Sequence, residues 1–323
     1  MPSRSRVFIP CAFVAACVSP LGPETVELAG AEHRAQQLAV GGGHAYWISE
    51  NDASLRRVPV SGGPVERLAT DVHACAVDGA EVYCTTTPNP PSSGDVVVRM
   101  RSGSPPEVLP DSLLSSQGVR LVIDGDSLIG VSYRFREAAV LFSLKKSGGP
   151  VKTLYVAAEP GPLAIDATHV YFAPRDVLRV PKMGGAAELV FRAERGLLYR
   201  RPDALAVAGD RVVFVAALDR WPSVWSIPKT GGALAEIARM HQVGEGSSGG
   251  QPRALVADTD RVWFTTDEGE LWWVPASGSG SPVRASDYRT PNYGGYLLEP
   301  SIALDDRHVC WTSVWGAVLS VAR

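Results

Sequence analysis

A chain of 323 residues with 45% apolar and 20% charged side chains is long enough for one large core or two ordinary domains. Its net charge of −3 offers no basic footprint with which to displace counterions from phosphate, which argues against a nucleic-acid partner. No apolar run approaches the roughly 18 residues of a membrane-spanning helix, whereas 32 glycines and 25 prolines suit a chain of many tight turns.

The first residues differ from the rest. A basic start, Met1 to Arg6, leads into an apolar stretch over 7–16 and then Val14-Ala-Ala-Cys17. This resembles a bacterial secretion signal of the lipoprotein type, in which cleavage leaves a lipidated cysteine, here Cys17, at the new terminus. Residues 1–17 are then a signal peptide, 18–23 a short linker and 24–323 a single domain, held by lipid in the bacterial cell envelope. A signal cleaved without lipidation, giving a soluble secreted protein, is the alternative; a buried first strand is a third.

From Leu38 onward one pattern recurs seven times: a short apolar run, a turn, and an apolar-aromatic run. The units start at Leu38, Cys75, Leu121, Leu163, Leu205, Leu255 and Ile302, spaced 37, 46, 42, 42, 50 and 47 residues apart. That period is the one expected of propeller blades. A second pair of strands follows in each unit, as in Leu55-Arg-Arg-Val-Pro-Val-Ser-Gly-Gly-Pro-Val-Glu-Arg-Leu68, with glycines supplying the positive φ of a tight hairpin. Four strands per unit cannot bury both sheet faces alone, so neighbours must stack, and a closed ring removes exposed edges. The expected fold is an all-β, seven-bladed propeller, with six and eight blades as alternatives because the third unit matches least well.

The ends fit closure of the ring. The last unit stops after its third strand, while Glu24-Thr-Val-Glu-Leu28 resembles the fourth strands Pro64-Val-Glu-Arg-Leu68 and Pro150-Val-Lys-Thr-Leu154. The N-terminal strand is therefore expected to complete the last blade. Tyr46-Trp47 and Arg57-Val-Pro-Val-Ser-Gly-Gly63 resemble the YWTD type of propeller found in lipoprotein-receptor ectodomains and related bacterial repeats, over most of residues 38–323. The sequence departs from that type at Ser49, where an acidic residue would close the motif, and in its number of units, since YWTD rings have six blades.

Turns joining the first to the second strand, and the third to the fourth, are short and uniform. Connections from second to third strand and from blade to blade are long and unlike one another, as in 85–95, 192–202, 239–252 and 286–300. Function tends to sit on irregular loops carried by a rigid scaffold, which puts a binding site on the long-loop face at the mouth of the central channel. Two or three positions ahead of the unit starts stand Gln36, His73, Asp203, Arg253 and Glu299, as ligand-binding candidates. Trp221, Tyr293 and Trp315, in the long loops, are candidates for holding a sugar, peptide or protein surface. The competing readings are that these polar groups solvate the channel entrance and the aromatics pack loops onto the disc.

His44, His169 and His308 occupy one repeat position on separate blades and should not converge on a metal. The recurring Asp78, Asp124, Asp166, Asp258 and Asp305 read as turn caps. No nucleophile elbow, zincin motif, C-x-x-C or phosphate loop occurs, so no catalytic residue, metal or cofactor is assigned. The function expected is a binding or scaffold module, monomeric, for a protein, peptide or glycan, touching membrane through its lipid alone. The alternative is a propeller enzyme of lyase or hydrolase type with a polar or metal site at the channel mouth, drawing on His73, Asp203 and Glu299. A disulfide is also expected. If Asp78 and Glu81 pair across a two-residue Gly79-Ala80 turn, stepping outward along both strands brings Cys75 directly opposite Cys84, within bonding range. Two buried thiols are the alternative there, and Cys310 has no such partner.

Overall fold

Each repeat folds into one four-stranded antiparallel sheet, and seven such sheets form the molecule. The computed structural model describes residues 24–88, 94–193, 202–218, 221–240, 250–286, 288 and 300–323. Blade 1 runs through Ala35–Gly41, His44–Ser49, Ser54–Pro59 and Glu66–Ala69, from the inner to the outer strand. The inner strands of blades 2 to 7 are Val72–Asp78, Gln117–Asp124, Leu163–Ile165, Ala204–Ala208, Pro252–Ala257 and Ile302–Leu304. The expected seven blades are present, one more than the YWTD resemblance would imply, and the weakly matching third unit is a complete sheet.

Blade 7 is closed from the other end of the chain. Val26–Ala29 lies antiparallel to Val318–Ala322, with Val26 opposite Ser320 and Glu27 opposite Leu319. Leu28 and Ala29 are 6% and 5% exposed, inside the apolar cluster that joins blade 7 to blade 1. The ring is thus fastened by about four residues of strand rather than by a covalent bond.

Seven apolar clusters account for the core, one in each gap between neighbouring blades. The second strands supply most of the largest buried side chains: Trp47, Phe172, Phe214, Phe264 and Trp311 are all 0% exposed. Burial of each such side chain contributes on the order of 1.5–3 kcal/mol, so stability is distributed around the ring in similar increments.

The short-turn face is stapled by charge. Lys146 pairs with Asp78 of the preceding blade, Lys182 with Asp124 (2.5 Å) and Lys229 with Asp166 (2.8 Å). Arg323 reaches Asp258 of the preceding blade in the same way, at 2.5 Å. The recurring aspartates therefore do more than cap turns. Asp166 caps its own turn by accepting the amides of Thr168 and His169, both at 2.8 Å, while its other oxygen takes the Tyr171 hydroxyl at 2.9 Å. The histidines of this face bond locally: His44 Nδ1 to the Gly42 carbonyl and His169 Nδ1 to the Thr168 hydroxyl.

The cysteines fall where the register argument puts them. Cys75 opposes Cys84 in the blade 2 ladder, and a disulfide joins them with Cα atoms 4.2 Å apart. Cys310 is a free, fully buried thiol, and burial pushes its pKa up to about 11.

Candidate functional site

The inner strands enclose a cavity of about 770 Å³ to which all seven blades contribute. Its wall includes a collar built from the residues that open each repeat: Leu38, Leu121, Leu163, Leu205, Leu255 and Ile302, with Cys75 in the seventh place. Above the collar, blade-to-blade segments and the loops carrying Asp267 and Val314 form the rim, so the cavity opens on the long-loop face.

Rim chemistry follows from strand periodicity. Residues two apart on a strand share a side, so the position two ahead of each collar residue also faces the cavity. Gln36, Val119, Gly161, Asp203, Arg253 and Pro300 hold that position in six blades, and all six line the cavity. In three blades the same position is the extra residue of a β-bulge. His73, Val119 and Arg253 each stand unpaired between residues in ladder register. A bulge bends the strand and re-aims one side chain, which is how a ladder can end facing a ligand space. In blade 1 the shift falls between Gln36 and Ala39, and Gln37 is held at φ 52 with its side-chain amide donated to the His73 carbonyl at 2.8 Å.

Of the residues singled out by sequence, the structure brings Gln36, Asp203 and Arg253 together on the cavity wall. Arg253 is held by Asp267 at 3.1 Å, and Asp267 also accepts the Gln251 amide at 2.7 Å. His73 belongs to a different arrangement. Its Nδ1 bonds the Asp95 carboxylate at 2.7 Å, and the same Asp95 oxygen accepts the Gly118 amide of blade 3 at 2.9 Å. Asp95 is 3% exposed, so this carboxylate is a joint between two blades, and His73 is not among the described residues lining the cavity. Trp221 and Trp315 are partly buried in their loops and do not line it either. Glu299 and Tyr293, like the lipidation candidate Cys17, lie outside the described residues.

Comparison with known proteins finds no matching family model and no matching curated protein. Solved structures do match. A structure described as YCF48 bound to D1 peptide aligns at TM-score 0.64 and 14% identity, over 94% of this chain and 96% of its own. A chain of a mitotic checkpoint complex aligns at TM-score 0.61 and 12% identity, over 99% of both chains. BamB from Moraxella catarrhalis aligns at TM-score 0.54 and 14% identity, over 94% and 99%. At such identities the likeness is one of fold alone.

The sequence reading passed over Gln37, Arg120 and Asp267, which also line the cavity. Arg120 and Gln37 stand one place ahead of the collar, a position a regular strand would turn away, and in both blades a bulge lies within two residues. Asp267 belongs to a loop after a second strand, and its place beside Arg253 depends on strand pairing. The rim thus carries Arg120, Arg253, Asp203 and Asp267, two charges of each sign, over an aliphatic collar. Such a site can hold a ligand by hydrogen bonds at the mouth and by apolar contact below, with little net electrostatic demand.

Proposed function

We propose that this chain is a binding or scaffold module of the bacterial cell envelope whose long-loop face takes a protein, peptide or glycan ligand at the channel mouth. The observation that carries the reading is the cavity itself, about 770 Å³ of space with polar groups at the rim and an aliphatic collar beneath. The similar folds named above include one solved with a bound peptide and one within a protein complex, which supports a binding role by analogy of fold. In this reading the mature chain is a monomer, anchored through lipid on Cys17 or released as a soluble protein, with no nucleic-acid partner.

Two experiments test it. Asp203→Ala and Arg253→Ala in the mature protein should weaken capture of its ligand from envelope extract or from peptide and glycan arrays by about tenfold. Both variants should melt within a few degrees of wild type, and His169→Ala on the opposite face should bind normally. Loss of binding in His169→Ala with none in the rim variants would put the site on the wrong face. For the anchor, Cys17→Ser should move the protein from the detergent phase to the aqueous phase. A wild-type protein already in the aqueous phase with Met1 intact would exclude lipidation.

A further inference from the structure

The two halves of the disulfide hold unequal positions. Cys75 stands on the inner strand, partly exposed, in the wall of the cavity. Cys84 stands on the second strand, 0% exposed, inside the cluster of Tyr46, Val82 and Met100 between blades 1 and 2, against which the partly buried Cys75 packs from its edge. At the same collar position the other six blades place Leu or Ile. The collar is therefore inert hydrocarbon everywhere except at one sulfur.

We propose that Cys75 is a thiol-exchange site opening on the central cavity, for thiols small enough to enter it. The strand order fixes the direction of attack. The inner strand is nearer the axis than the second, so the disulfide runs outward from the cavity wall. A thiolate arriving from the cavity meets the Cys75 sulfur on the side away from Cys84, the in-line approach that exchange requires. A bond forms between the incoming sulfur and Cys75 Sγ as the Cys75–Cys84 bond breaks. The electron pair of that bond leaves on Cys84, which takes a proton from water; no external oxidant or reductant is needed. Access decides which sulfur is attacked, because apolar side chains cover Cys84. The product carries the thiol's organic group covalently in the cavity, tethered at the collar. Exchange at Cys75 requires only an open cavity, whatever the rim binds.

Mass spectrometry reads the outcome directly. Oxidised mature protein is incubated with glutathione, quenched in acid, alkylated and digested. The mixed disulfide should be found on Cys75 in at least about tenfold excess over Cys84, with Cys310 unmodified, and the preference should vanish in denaturant. A glutathione-sized thiol immobilised on a carrier protein should give no adduct. Equal labelling of both cysteines, preference for Cys84, no adduct on Cys75, or reaction with the carrier-bound thiol would each overturn the proposal. A second pair of variants tests access alone. Cys84→Ser leaves a thiol in the cavity wall and should react with an aromatic disulfide reagent about tenfold or more faster than the Cys84 thiol left in Cys75→Ser. Equal rates in the folded variants would contradict it.

Discussion

At the residue scale, Asp166 shows how one carboxylate can serve a turn and a ring together. Burial acts to raise its pKa. The Lys229 ammonium, the amides of Thr168 and His169 and the Tyr171 hydroxyl more than offset that, and hold the carboxyl well below the usual carboxylate range. A depressed folded-state value means that these bonds contribute fully at neutral pH. Their contribution is lost as pH falls below the unfolded carboxylate value of about 4 toward the lower folded one. Asp166→Asn keeps an acceptor but removes the charge, and should cost about 1–2 kcal/mol at pH 7. Thermal melts at pH 7 and pH 3 check this: the gap between variant and wild type should narrow at the lower pH, and a gap that widens would be against it. Gly161 makes a steric case. A Cβ there would lie 2.1 Å from the Ala173 carbonyl oxygen, so Gly161→Ala should cost more than the roughly 1–3 kcal/mol of ordinary overpacking. Unchanged denaturant unfolding would contradict that reading.

At the element scale the ring depends on a strand of four residues. Leu28 is 6% exposed between blades 7 and 1, whereas Val26 on the same strand is 43% exposed. Leu28→Ala should therefore cost about 2–4 kcal/mol, and Val26→Ala no more than about 0.5 kcal/mol, both read from urea midpoints. Deleting residues 24–29 should expose the edge of blade 7 and cause aggregation; an unchanged melting temperature would break the closure model. These elements were legible because each rests on local chemistry repeated at a fixed interval. The Asp-Gly turn sets the blade 2 register, and the register in turn sets the Cys75–Cys84 pair. The bulges were not legible. Val72-His73-Ala74 carries no sign of an irregular ladder, and Gly118 admits a bulge without fixing which residue is the extra one, so sequence alone does not show that His73 leaves the rim or that Arg120 joins it. The lysine staples were hidden for another reason: Lys229 and Asp166 belong to different blades, and only ring geometry brings them together.

At the scale of the whole molecule the two faces do different work. Ion pairs between successive blades and short closed turns brace one face, while bulged strand ends and the segments carrying Pro160, Asp267 and Val314 frame a cavity on the other. In the proposed reading the ring separates stability from recognition, since the rim groups Arg120, Asp203, Arg253 and Asp267 belong to none of the clusters between blades. The central claim is that ligand meets the long-loop face. A photo-crosslinking residue placed at Val119, on the cavity rim, or at Met183, 84% exposed in a turn of the opposite face, tests it in intact cells. A covalent adduct to a ligand is expected from position 119 and none from position 183. Adducts from position 183 with none from 119 would contradict the placement.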